Sequence, residues 1–441
     1  MEPTHFLDSS LGPSNLTGPR TVTFCSSPRA LLLGLAAASL LSMAVATHAQ
    51  AEAQLLIEAS TGKVLHAENA TYPWYPASVT KLMTAYTTLR AIKEGRVAFD
   101  TLLMVSRNAA AQQPTKMGLK VGTRLTIDNA LKMLMVKSAN DMAVAIAEGV
   151  GGSIEGFADL MNANARRLGM TESHFVNPNG LPAENHVTSA RDLGILARAL
   201  ILEFPEDDSY WHIHAIQYGN RVMRNYNSLL DRYPGADGMK TGFICASGYN
   251  VVASATRNGR RLIAIVLGAY SGAVRSQKAA QLFERGFNGG GLTWLTPSLG
   301  TVDALAPIDA QPPNLREEMC GGHRRKPPAE DNDEEQQDAA AVNGDSGSAQ
   351  AFMLSSLRPP NGKFVLGPPV ETEAPIKVFT GPPDHPDAVQ TAESRSKKKK
   401  EAVAKKDTAP TKDADVKADA KTAKAPKHAK RAAKPKVSSA N

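Results

Sequence analysis

The chain has 441 residues, 42% of them hydrophobic and 21% charged, enough apolar material for one large folded domain or two ordinary ones. Its net charge of +7 is not spread evenly: residues 391–441 carry 16 Lys and Arg against 6 Asp and Glu, so the other 390 residues are near −3. This excludes a generally basic domain and confines the positive charge to one terminal arm.

In chain order, the first element is "RALLLGLAAASLLSMAVATHAQA". An arginine precedes a Leu/Ala run, and Ala49 and Ala51 form an A-x-A site, the layout of a secretory signal cut after Ala51 or Ala49. The alternative is a retained anchor, since about 17 apolar or small residues just span a bilayer; the A-Q-A site favours removal. The 28 residues before Arg29 are long and Pro/Ser-rich for such a signal, as when a start codon is placed too far upstream. Export leaves Cys245 and Cys320 in an oxidising compartment. Two arrangements stay open there, a disulfide between them or a buried Cys245 with an exposed Cys320 thiol.

"AQLLIEASTGKVLHAE" reads as two strands joined by a turn at Ser60–Gly62. "GYNVVASATRNGRRLIAIVLGAY" repeats the pattern around Asn258-Gly259. Apolar residues at three- and four-residue spacing predict helices over 79–94, 127–136, 141–149, 155–168, 189–203 and 273–287. The implied class is mixed α/β, an antiparallel sheet drawn from both ends of the domain with a helical block inserted between. Near residue 295 the composition changes to an acidic tract, a Pro-rich stretch and a Lys/Ala-rich tail. The reading is therefore a signal region over 1–51, one domain over 52–295 and a disordered tail over 296–441.

Three short motifs carry chemistry. "PASVTKLMTAYT" sets Ser78 three residues before Lys81 at a helix start, so that both face one side and a buried amine can serve as base to the hydroxyl. The plainer reading is a helix cap with a surface lysine. "MVKSANDMAVAIAEG" sets Ser138 and Asn140 at a break between helices, which alone reads as a cap for the segment beginning near Asp141. "ADGMKTGFICASGYN" sets Lys240, Thr241 and Gly242 just before the second hairpin, which alone reads as a solvated strand. The ordered triple Ser-x-x-Lys, Ser-x-Asn, Lys-Thr-Gly is the combination used by penicillin-binding proteins and class A β-lactamases.

From about Ala53 to Gly291 the chain resembles the D-alanyl-D-alanine carboxypeptidases among the low-molecular-weight penicillin-binding proteins. "NPNGLPAENHVTSARDLGILARALI" and the long stretch around Lys-Thr-Gly read like that family's segments. The resemblance implies a β-lactamase/transpeptidase-like fold, with a five-stranded antiparallel sheet flanked by helices. It implies Ser78 as acylated nucleophile, Lys81 as its base, and Ser138 between Lys81 and Lys240 as proton relay. Asn140 would hold the substrate amide, and Thr241 the terminal carboxylate or its neighbouring amide. Lys240 would help keep Lys81 neutral, and Gly242 completes the motif. The backbone N–H groups of Ser78 and Phe243 would receive the oxyanion. It further implies peptidoglycan stem peptide as substrate, β-lactam antibiotics as covalent inhibitors, and no metal or organic cofactor.

The sequence departs from this family in two places. Tyr226 stands where some members have an arginine; Arg224 is a possible substitute, though an exposed strand arginine is the simpler reading. After residue 295 there is no sign of the β-rich second domain or the amphipathic membrane-lying helix of many relatives. A periplasmic enzyme, soluble or wall-associated, is therefore expected. The basic arm is read as attracted to anionic wall polymer or membrane surface; export argues against nucleic acid. Three alternative functions remain. An endopeptidase would use the same acyl-enzyme. A β-lactamase would need a water-activating glutamate, for which Glu155 and Glu172 lack the context. A non-catalytic wall-binding scaffold would leave its motifs unused.

Overall fold

The computed structural model describes residues 52–288, 298–322, 366–369, 373–382 and 384. The leader with its expected cleavage site, the acidic tract and the Lys/Ala-rich arm lie outside the described residues.

Both apolar hairpins enter one sheet. β1 (Ala53–Glu58) and β2 (Val64–Glu68) form the first. β8 (Gly248–Arg257) and β9 (Arg260–Ala269) form the second, turning at Asn258 (φ 51°) and Gly259 (φ 75°), the paired left-handed residues that a two-residue hairpin requires. β1 lies against β9 with Gln54 opposite Val266, and β7 (Ala236–Ile244) lies against β8 with Lys240 opposite Val252. The result is a five-stranded antiparallel sheet, order β2-β1-β9-β8-β7, with β7 at an edge. Lys240, Thr241 and Gly242 are buried in β7, so the solvated-strand reading of Lys-Thr-Gly does not hold.

Alternate residues on each strand supply two cores. Leu55, Ile57, Val252, Ile263 and Ile265 pack toward the helical block, whereas Leu56, Val251, Leu262, Ala264 and Val266 pack with Phe283 of the C-terminal helix Gly272–Asn288. Burial on both faces explains why β8 and β9 read as nearly continuous apolar runs.

The inserted block holds α1 (Lys81–Lys93), α2 (Arg107–Ala111), α3 (Ile127–Val136), α4 (Asn140–Gly151), α5 (Ile154–Leu168) and α6 (Ala190–Glu203). Between α1 and α3, β3 (Leu102–Met104) pairs with β4 (Arg124–Thr126). α4 runs through the centre, with every residue from Asn140 to Ala147 buried. Thr126, Ser153 and Ser189 cap α3, α5 and α6 by accepting from backbone N–H groups of the first turn. The helix predicted over 79–94 opens instead as a 3₁₀ turn, Ala77–Thr80, before α1. A short α7 (Leu229–Arg232) precedes β7, and the C-terminal helix Gly272–Asn288 is α8.

The folded part continues past residue 295, contrary to the composition reading. Val302 is buried and its N–H donates to Gly62 O, while Thr301 bridges to Lys63. Leu315 and Met319 are buried at the short α9 (Arg316–Cys320), and Cys320 is disulfide-bonded to Cys245. β10 (Ile376–Val378) pairs in parallel with β5 (Ala215–Tyr218), whose other neighbour is β6 (Arg221–Arg224). Average composition misleads here because a segment that docks on a finished surface needs few apolar residues, and a cross-link lowers the entropy cost of ordering it.

Candidate active site

Ser78 lies on the 3₁₀ turn that leads into α1. Neither that turn nor α1 has a side-chain cap, so the serine is not there to satisfy free backbone donors. Lys81, the first residue of α1, is wholly buried, which removes the surface-lysine reading. Its Nζ stands 2.9 Å from Ser78 Oγ, 2.7 Å from Asn140 Oδ1 and 2.8 Å from the Asn179 carbonyl oxygen. One helical turn thus brings amine and hydroxyl together, and two further oxygens fix the amine.

Asn140 opens α4 and is held from two sides. Its N–H donates to Thr115 O at 2.8 Å and its Nδ2 to Gln113 O at 2.9 Å, which turns Oδ1 toward Lys81. Ala139, the N-cap of α4, makes no side-chain cap, and Ser138 does not act as one either. Ser138 has φ 57°, unusual for a residue with a Cβ and of the kind that concentrates at functional sites. Its carbonyl accepts from Thr115 Oγ1 at 2.8 Å, while its own hydroxyl is buried with no hydrogen-bond partner among the described residues. The expected bridge from Ser138 to Lys81 and Lys240 is therefore not formed as hydrogen bonds in this arrangement.

β7 forms the opposite wall. Lys240 is 2% exposed and its Nζ donates to Thr241 O at 3.0 Å. Thr241 Oγ1, like Ser138 Oγ, is buried and without a partner among the described residues. Gly242 has a steric reason to be glycine: a Cβ there would stand 2.7 Å from Ser78 N and 2.9 Å from Val79 N. Close approach of two backbones thus sets the strand beside the N–H of Ser78. The Phe243 ring packs against Tyr249 at 4.3 Å between centroids.

Sequence reasoning missed the residues that hold this geometry. Asn250 is fully buried in β8; its Nδ2 donates to Tyr75 O and Pro76 O, and its Oδ1 accepts from Gly268 N–H. It ties the segment before Ser78 to the sheet, and a lone asparagine in an apolar strand run was the available signal. The loop 177–181 presents the Asn179 carbonyl to Lys81. Asn177 Oδ1 accepts from Gly180 N–H, and Gly180 (φ 81°) lies so close to Ala77 O that a Cβ would fall 1.8 Å from it. His186 supports the same turn: Val176 N–H donates to its Nδ1, so Nε2–H donates to Thr80 Oγ1 at 2.9 Å. Burial pushes the His186 pKa down to about 3, with a smaller contribution from His174.

Arg224 is exposed on β6, and Tyr226 is buried with its hydroxyl hydrogen-bonded to Lys137 Nζ. Arg275 of α8 is buried, donating at 3.4 Å to the carbonyls of Asn250 and Tyr226. Glu155 is exposed at the start of α5. Glu172 donates its N–H to Asp192 Oδ2 and accepts at Oε1 from Ile308 N–H; burial raises its carboxyl pKa above the usual range.

The family model described as D-alanyl-D-alanine carboxypeptidase matches residues 41–271. The chain is 35% identical over 248 residues to the D-alanyl-D-alanine carboxypeptidase DacC of Escherichia coli, covering 54% of this chain and 61% of that protein. It is similar in structure to the D-alanyl-D-alanine carboxypeptidase DacD from Francisella tularensis, at TM-score 0.52 and 31% identity, covering 53% of this chain and 70% of that one. It is likewise similar to penicillin binding protein 6B from Escherichia coli, at TM-score 0.51 and 36% identity, over 53% of this chain and 76% of that one. The chain spans about three fifths of the length of the curated relatives from Escherichia coli and Salmonella typhimurium.

Proposed function

The chain belongs to the D-alanyl-D-alanine carboxypeptidase family, and on that premise we propose that it removes the terminal D-alanine from peptidoglycan stem peptides through an acyl-enzyme on Ser78. The observation that carries this reading is the buried Lys81 amine, 2.9 Å from Ser78 Oγ and fixed by Asn140 and Asn179. With its amine held by Asn140 and Asn179 beside the Ser78 hydroxyl, Lys81 takes the serine proton as its base.

In the acylation step Ser78 Oγ attacks the carbonyl between the two D-alanines and its proton passes to Lys81. The oxyanion lies between the N–H groups of Ser78 and Phe243, a kind of contact worth about 3 kcal/mol per donor. The C–N bond then breaks, and the departing amine takes its proton by way of Ser138, whose unpaired hydroxyl is free to turn between the two lysines. Water hydrolyses the ester and regenerates Ser78. Asn140 holds the substrate amide, and Thr241 with Lys240 receives the terminal carboxylate. β-Lactams enter the same route and stop at the acyl-enzyme.

The setting is periplasmic: the leader is removed on export, and the basic arm draws the enzyme by salt-sensitive attraction to anionic wall polymer or membrane surface. Mass spectrometry of a purified pentapeptide after incubation tests the activity, with loss of one alanine expected. Cleavage of cross-linked dimers alone would make it an endopeptidase, and rapid turnover of penicillin a β-lactamase. Failure to label with fluorescent penicillin would leave only a wall-binding scaffold. For the arm, truncation at residue 390 should weaken cosedimentation with sacculi at low salt and leave turnover of a soluble peptide unchanged; equal cosedimentation would refute that role.

A further inference from the structure

Ser138 sits at a break in the chain. α3 ends at Val136, Lys137 is its C-cap, and Ser138 takes φ 57° before α4 opens at Asn140. The Lys137 N–H still donates to Met133 O, and the Ser138 carbonyl accepts from Thr115 Oγ1. The Lys137 side chain leaves this break for another part of the fold, where its Nζ donates to the Tyr226 hydroxyl. Nζ lies 5.0 Å from the centre of the Tyr226 ring, the distance of an end-on approach through the hydroxyl. The oxygen, and not the face of the ring, is therefore the point of contact.

Tyr226 is the fixed end of this contact. It is buried, and the residues on either side of it are pinned: Asn225 Nδ2 donates to Ile213 O at 2.9 Å, and Asn227 Nδ2 donates to Gly238 O at 2.8 Å, two residues before Lys240 on β7. The Tyr226 carbonyl accepts from the buried Arg275, which also donates to Asn250 O on β8. The Tyr226 hydroxyl thus rides on the same frame as Lys240 and Thr241. Lys137 rides on the helical block, next to Ser138. Their hydrogen bond joins the two walls of the site.

We propose that Lys137 and Tyr226 are positioning residues for the Ser138 proton relay, a strut that sets how far Ser138 stands from Lys240. The inference rests on the carboxypeptidase reading. As the bond from Ser78 Oγ to the carbonyl carbon forms and the C–N bond breaks, the nitrogen must gain a proton, because it does not leave as an anion. The proton that Lys81 took from Ser78 passes to Ser138 Oγ, which hands its own to the nitrogen, so the transfer balances. Ser138 Oγ has no hydrogen-bond partner among the described residues in the resting site. Its place is set by the backbone that carries it, and the Lys137 side chain ties that backbone to the opposite wall. Neither Lys137 nor Tyr226 touches the reacting atoms.

The test separates leaving groups. Two soluble substrates share one acyl part and a terminal carboxylate; one ends in D-alanyl-D-alanine, the other in D-alanyl-D-lactate, an ester whose oxygen leaves with far less help from a proton. Tyr226→Phe removes a single oxygen and keeps the ring. It should lower kcat/KM about tenfold for the amide and less than about twofold for the ester. Lys137→Met should give the same pattern, and Lys137→Arg, which keeps an N–H donor, should hold the amide rate within about threefold of the unmodified chain. The combined variant Lys137→Met with Tyr226→Phe should be no slower on the amide than either single change, as for two ends of one contact. Equal losses on amide and ester would point to general loosening or to a contact with the shared carboxylate and would overturn the strut, as would an amide rate that Tyr226→Phe does not move. Either result leaves the carboxypeptidase reading standing, provided that the unmodified chain releases D-alanine and labels with penicillin. An unmodified chain that does neither overturns that reading and the strut with it.

Discussion

Gly242→Ala tests how the sheet positions the nucleophile. An added methyl would sit 2.7 Å from Ser78 N and 2.9 Å from Val79 N, both backbone atoms, where ordinary contacts begin at 3.4 Å. Neither atom can swing away as a side-chain tip would, so β7 and the Ser78 turn must part by about 0.7 Å or more. Displacement of about 1 Å at a reacting group costs about 100-fold in rate, equivalent to about 3 kcal/mol of transition-state stabilisation. The fold itself should lose only about 1–3 kcal/mol from overpacking. Acylation by a fluorescent penicillin, followed as a second-order rate alongside a thermal melt, separates the two. The expected result is a folded protein acylated about 100-fold more slowly; acylation within about threefold of the parent would show that the approach of β7 does not set the geometry of Ser78.

Three further outcomes are expected. Ser78→Ala should abolish penicillin labelling and D-alanine release with little change in melting temperature, since Ser78 caps no helix; Lys81→Ala should also lose acylation, because the hydroxyl without a base is a weak nucleophile. His186 should make the fold acid-sensitive: its native pKa is about 3 against about 6.5 unfolded, so below about pH 6.5 only the unfolded chain takes up the proton. Stability then falls by about 1.4 kcal/mol per pH unit down to about pH 3, and chemical denaturation of His186→Asn should show a limb shallower by that slope, an equal slope counting against it. Removing the Cys245–Cys320 bond by the two Cys→Ser changes should lower stability by about 4 kcal/mol, from the 75-residue separation it closes; a denaturation midpoint unchanged by both substitutions would contradict this.

The two hairpins and the main helices were legible because each is written in local terms: apolar period and turn chemistry. Asn258-Gly259 announces its hairpin, and apolar residues at three- and four-residue spacing announce the helices over 127–136, 155–168 and 189–203. The three motifs were legible as an ordered triple, while the local context of Ser78 and Ser138 pointed the other way, toward caps they do not form. What could not be read was whatever depends on residues far apart in the chain. The Asn179 carbonyl that meets Lys81, 98 residues away, carries no side-chain signature at all. Asn250 reaches Tyr75 O across 175 residues, and only its polarity in an apolar strand hinted at a task. The docked segments 298–322 and 376–378 were lost for a different reason: a handful of anchoring residues is invisible in an average over a polar stretch.

The bond between Cys245 and Cys320 makes that part of the backbone a closed covalent ring that contains β8, β9 and α8. A protease that cuts this ring once, anywhere between residues 246 and 319, releases nothing. The nicked molecule keeps one mass under oxidising conditions, and the docked C-terminal segment stays tethered to the strand that bears Lys-Thr-Gly. In a compartment that holds thiols oxidised, the segment around Cys320, far along the chain from Ser78, is thus among those the enzyme is least able to shed.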